Sequence, residues 1–182
     1  MRAAYFTAMV MLCGSGWSLT APVKAQTLTV TATGTIAKSC GLTASGQFGN
    51  ANLNANGTVT AAAVVNCNLK YVVKATSARG GLKNATAAPS SSFSNLLAYN
   101  FSLSVPLDNG GGTISATCAS TALVAGASNC QLSPAGTGLS SGNGTSVNQN
   151  AALNIGWTLP TTTRLVAGSY SDVLTITIAA QQ

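Results

Sequence analysis

The sequence predicts an all-β fold, most economically a sandwich of two antiparallel sheets with about seven strands, and three observations carry that prediction. Apolar and polar residues alternate in several short stretches, most cleanly where Leu97, Tyr99, Phe101, Leu103 and Val105 interleave with Ala98, Asn100, Ser102 and Ser104. Successive side chains of a strand point to opposite faces, so a period of two marks a half-buried strand. Between these stretches lie clusters of Gly, Asn, Ser and Pro that act as turn signals. Past the first 25 residues no segment carries the 3.6-residue period of a helix, and nothing repeats at the spacing of a solenoid or propeller.

Taken in order, Met1 to Ala25 reads as a secretory signal peptide. Arg2 supplies a positive start, Ala3 to Leu12 a short apolar core, and Val23-Lys24-Ala25 a small-residue cleavage site. The apolar run falls short of the about 20 residues that a bilayer span needs, so the mature form is expected to have no membrane span. Residues 26–36 then read as an N-terminal strand. Leu28, Val30, Ala32 and Ile36, with Gly34 among them, occupy one face, and Thr occupies every odd position from Thr27 to Thr35. A terminal strand of this kind either closes its own fold or is lent to a neighbouring copy, and strand addition of the second sort builds polymers.

The remaining chain, 37–182, reads as one domain. Cys40 to Asn56 is Gly/Asn-rich and is expected to be irregular around Phe48. Thr58 to Asn66 is a β-branched strand ending at Cys67. Leu69 to Ala75 is another, with Lys70 and Lys74 on its polar face. Ser77 to Asn95 is expected to be a polar loop. The clean strand follows, ends at Pro106, and leads into an Asp108-Asn109-Gly110 turn. Ile114 to Cys118 and Ala122 to Ala125 read as weaker strands, and Ser133 to Asn150 as a surface loop. Leu153, Ile155, Trp157 and Leu159 alternate up to Pro160. The last strand is Val173 to Ala179.

Charge and cysteine usage bound the function. The chain as a whole carries a formal net charge of +6, and without the signal it keeps six basic residues against Asp108 and Asp172, a net +4. Four of the basic residues, Lys70, Lys74, Arg79 and Lys83, crowd one stretch, but without interleaved aromatics they read as a solvated face, and no nucleic-acid partner is expected. With Cys13 in the signal, Cys40, Cys67, Cys118 and Cys130 remain, an even number in a chain bound for an oxidising compartment. Three pairings are open, and the nearest-neighbour one is preferred. Without a CxxC or any His, a zinc site is the weaker use of these cysteines, and no metal or cofactor is expected. Without His or Glu, general acid/base catalysis has only the two Asp to draw on, so no enzyme is expected. Tyr99 or Trp157 stacking on a sugar in a binding module is the rival reading, and aromatics at such alternating positions are usually core.

These residues also carry a resemblance. An alternating N-terminal strand, Cys40 followed by Phe48-Gly49, a strand ending at Cys67, Tyr99 within a strand and a closing Gly168-Ser169-Tyr170-Ser171-Asp172 before a Thr/Ile strand resemble the spore coat protein U-like domain. That domain is found in pilins of the archaic chaperone-usher pili of Gram-negative bacteria. Leu28 to Thr33 and the Gly-Ser-Tyr-Ser ending are also similar to the alpha-class fimbrial major subunits, which lack the cysteines. Cys118, Cys130 and the near absence of acidic residues depart from the pattern.

The resemblance implies an incomplete immunoglobulin-like sandwich completed by donor-strand exchange. Leu28, Val30, Ala32, Gly34 and Ile36 would be the donor face, and Leu174, Ile176 and Ile178 the acceptor groove. The implied partners are a periplasmic chaperone, an outer-membrane usher and other copies of itself or related pilins, in a surface pilus that supports adhesion and biofilm formation. A secreted spore-coat or surface binding module of the same fold, which does not polymerise, is the alternative.

Overall fold

The computed structural model describes residues 33–44, 48 and 51–181. The expected signal, 1–25, and Leu28, Val30 and Ala32 of the N-terminal strand lie outside the described residues. The chain divides into Met1–Thr35 and Ile36–Gln182. Of the first unit only Thr33 to Thr35 are described, and they are exposed and belong to no strand.

The second unit is all-β, with several antiparallel sheets, an arrangement consistent with a β-sandwich. Its strands are β1 (Cys40–Ala44), β2 (Gly57–Cys67), β3 (Tyr71–Ser77), β4 (Leu82–Asn84), β5 (Phe93–Ser94), β6 (Leu96–Leu97), β7 (Tyr99–Pro106), β8 (Thr113–Ala119), β9 (Leu139–Ser140), β10 (Ser146–Trp157), β11 (Arg164–Leu165), β12 (Tyr170–Ser171) and β13 (Leu174–Ala180). The largest sheet has the order β1-β2-β10-β7-β8. A second has the order β13-β3-β9 and a third β12-β4-β6; β11 and β5 form a short parallel pair.

Alternation in the sequence becomes alternation in burial. Tyr71, Val73, Ala75 and Ser77 of β3 are buried while Val72, Lys74 and Thr76 between them are not, and β7 buries Tyr99, Phe101, Leu103 and Val105 in the same way. Apart from Ser77, the two sets join Val65, Leu153 and Trp157 in one apolar cluster, which takes side chains from the five-stranded sheet and from β3. Tyr99 and Trp157 belong to this core, at 3% and 6% exposure.

The structure adds the short strands β9, β11 and β12 to those expected from sequence, and departs from the expectation at four further places. Cys40 to Ala44, expected to be irregular, is a strand. Its register against β2 starts at Cys40↔Cys67, where the two residues are bridged with their Cα atoms 4.0 Å apart. Instead of a strand near Ala122, Ser120–Leu123 forms a 3-10 turn. Its buried Ser120 donates to Gly80 O at 2.8 Å and accepts from Tyr99 N–H at 3.1 Å, anchoring the turn beneath β7.

The third departure is β10, which begins at Ser146 rather than near Leu153. Asp108 explains it: the carboxylate accepts from Gln149 Nε2 (2.7 Å), Thr145 Oγ1 (2.8 Å) and Val147 N–H (2.9 Å) and so holds the first turn of the strand across the gap. Asn148, with φ 54°, makes the bulge that shifts the register between Ser146 and Gln149. The donors, Gln149 foremost, hold the Asp108 carboxyl below the usual carboxylate range. Fourth, the stretch expected as a polar loop from Ser77 to Asn95 contains β4 and β5.

Candidate functional site

The core opens along one edge. Inside the three-stranded sheet the register is Leu174↔Ser77, Ile176↔Ala75 and Ile178↔Val73. Ser77, Ala75 and Val73 are fully buried, whereas Leu174, Ile176 and Ile178 pack on the same core and stay only half-buried. The difference lies in the neighbours: β3 has a strand on either side, and β13 pairs with β3 alone among the described residues.

The opposite sheet ends in the same way. Among the described residues its edge strand β1 pairs only with β2, lies against β13, and carries a half-buried Leu42 opposite the fully buried Val65. Two sheet edges therefore flank a line of incompletely covered apolar side chains. Edge strands expose a row of N–H and C=O groups, and a ladder added there satisfies them.

At the start of β13 lies a cleft of about 810 Å³, whose apolar walls include Leu53, Val59, Ile155, Leu165 and Leu174. Its rim is the Gly168-Ser169-Tyr170-Ser171-Asp172 segment, and each residue of known geometry there has a local task. Gly168 has φ 133°, and a Cβ at that position would meet Asn84 Nδ2 at 2.8 Å, so only Gly fits the turn. The Tyr170 hydroxyl reaches back four residues to Val166 O at 2.9 Å and also lies 3.1 Å from Ser94 O.

Asp172 gathers donors from three elements. Tyr99 Oη donates to it at 2.8 Å, Ser77 Oγ donates to the same oxygen, and the N–H groups of Val173 and Arg79 donate at 2.8 and 3.1 Å. The Tyr99 hydroxyl is held well above its ordinary pKa, first by burial and then by the neighbouring carboxylate. Asp172 therefore locks the turn that sets where β13 begins.

At the other end of the edge the chain enters the domain through a fixed root. Asn68 accepts from Ser39 N–H at 2.9 Å, donates its amide to Ala37 O at 2.8 Å, and gives its own N–H to Ser39 O at 3.1 Å. The Cys40–Cys67 bridge follows at once. Just before this root Ile36 is 90% exposed, the most exposed large apolar residue described, and Gly34 has no atom within 4 Å of where a Cβ would sit.

Of the residues singled out from sequence, the structure thus places Leu174, Ile176 and Ile178 on an open edge and Ile36 in solvent beside the root. Leu28, Val30 and Ala32 lie outside the described residues. All four cysteines are used in two bridges, Cys40–Cys67 and Cys118–Cys130, which suggest an oxidising, exported environment. Among the described residues no helix is long and apolar enough to cross a membrane. Leu42 was not singled out from the sequence; no alternation surrounds it, and only its pairing with Val65 reveals the groove wall it forms. Compared with known proteins, the chain matches no family model and no curated sequence.

Proposed function

We propose that this protein is a structural subunit of a bacterial surface pilus, assembled through a periplasmic chaperone and an outer-membrane usher by donor-strand complementation. The observation that carries this reading is the open edge of β13, where Leu174, Ile176 and Ile178 sit half-buried against the core. A strand with Leu28, Val30, Ala32, Gly34 and Ile36 on one face has the pattern to cover it. The segment is also long enough: eight steps from Leu28 to Ile36 span ~27 Å, more than the ~20 Å of the six steps of β13.

Topology favours a strand from another copy. β13 runs toward the end of the domain where Ala180 pairs with Tyr71, four residues past Cys67, and Ala37 to Ser39 are rooted at that same end. A segment folded back from Ile36 into its own groove would therefore run parallel to β13. A strand lent by another copy is free to run antiparallel, the slightly more stable ladder. Each large side chain buried by the lent strand would contribute about 1.5–3 kcal/mol, on top of the new backbone hydrogen bonds.

The immunoglobulin-like part of the reading is supported by the Tyr170 hydroxyl, which bonds upstream to Val166 O just before an edge strand, in the manner of a tyrosine corner. With both Asp side chains occupied by neutral donors, the reading assigns them to structure rather than catalysis.

The test is to produce the secreted chain with and without residues 26–36 and to add the excised segment as a peptide. Heat-resistant ladders from the full chain, together with a truncated domain whose thermal stability is restored by the peptide, are expected. A full chain that stays a stable monomer and captures no peptide would instead favour the non-polymerising surface module.

A further inference from the structure

We propose that the shallow pocket carried by β5 and β11, away from the strand-accepting edge, binds an acidic sugar. The pocket has a volume of about 330 Å³ and is lined by Ser92, Phe93, Thr161, Thr162, Thr163 and Arg164. That volume lies at the lower end of the range of small-molecule sites. β5 and β11 pair in parallel with Arg164 opposite Phe93 and Leu165 opposite Ser94, and Arg164 N–H and Val166 N–H close the pair by donating to Ser92 O (2.9 Å) and Ser94 O (3.0 Å). Directly paired residues share a face. Leu165 packs against the core, so its neighbour Arg164 and the opposing Phe93 face outward together.

What this shelf presents is a ligand chemistry in three parts. Phe93 is 37% exposed and offers an apolar ring face. Arg164 is exposed, its backbone N–H is used by Ser92 O, and its guanidinium makes no hydrogen bond to another described residue. The two Asp side chains are engaged elsewhere, Asp108 at the start of β10 and Asp172 before β13, so the guanidinium faces no carboxylate of its own domain among the described residues. Four hydroxyls, from Ser92 and the three consecutive Thr, complete the lining. A guanidinium fork matches a carboxylate with two parallel bonds, hydroxyls exchange hydrogen bonds with a polyol, and an aromatic face supports the apolar face of a ring. A sugar ring bearing a carboxylate, as in a uronic acid, meets all three. A nucleic acid fits less well, because its phosphate track calls for several cations in a row and Arg164 is the one cation lining the pocket.

The experiment measures binding of oligogalacturonate to the full secreted chain in its natural assembly state, with the carboxyl-methylated oligomer and duplex DNA as comparison probes. Arg164→Gln, which removes a charge-assisted contact, and Phe93→Ala, which removes the ring face, are each expected to weaken oligogalacturonate binding about tenfold or more, while Lys83→Gln leaves it unchanged. The methyl ester and DNA are expected not to compete. No measurable binding, equal loss from Lys83→Gln and Arg164→Gln, or DNA competing as well as the acidic oligomer would each overturn the proposal. The outcome is independent of whether the chain polymerises.

Discussion

At the scale of single residues, the two acids of the domain act as clasps. Asp172 accepts from a buried Ser, a buried Tyr and two backbone N–H groups, and thereby fixes the entry to β13. Asp172→Ala strands those donors, of which Ser77 is 1% exposed, and is expected to lower unfolding stability by about 2–3 kcal/mol, read from the urea midpoint. The Tyr99 hydroxyl adds a pH signature. Its folded pKa is raised above the unfolded value of about 10, so its contribution is fully present below that pH and is lost as pH rises past it. Denaturation followed from pH 8 to 12 should show stability falling above about pH 10, and Tyr99→Phe should flatten the fall. Some fall should persist, because burial also raises the Tyr71 hydroxyl.

At the scale of elements, β13 behaves as a core strand on one side and an open edge on the other. Ile176→Asp puts a carboxylate into the groove and is expected to weaken capture of a labelled 26–36 peptide by more than about a hundredfold in fluorescence anisotropy, whereas Thr177→Asp, on the exposed face, leaves capture near its starting value. Strands such as β7 and β13 were legible because one face is buried and the other wet, which writes a period of two into the sequence. β1 was not, because Cys40, Gly41 and Leu42 are all half-buried at the rim and the strand is held by a bridge and its pairing with β2 rather than by an alternating pattern. The start of β10 was hidden for a different reason. Its Ser, Asn and Gln residues read as loop, and the carboxylate that orders them lies 39 residues upstream of Val147. The open edge itself has no local sequence signal either, since a half-buried Ile and a buried Ile look alike until strand order is known.

At the scale of the molecule, the proposed function joins the open edge of β13 to the alternating sequence before Ile36, so that a domain incomplete alone would be completed in series. Serial completion closes the exposed edge that an isolated copy would leave, and edges of that kind otherwise invite uncontrolled pairing. The central claim is that the segment before Ile36 crosses to another copy. It is tested most directly by co-expressing two versions of the chain, one with Thr31→Cys and one with Thr177→Cys, and treating the secreted product with a short bis-maleimide. Thr31 is one of the alternating Thr positions of the sequence and Thr177 lies on the exposed face of β13, so neither substitution alters an apolar position. The account predicts a cross-linked dimer containing one copy of each version, and no internal cross-link when both substitutions are placed in a single copy diluted among wild-type chains. An internal cross-link in that single copy, with no mixed dimer, would contradict it and return the strand to its own domain.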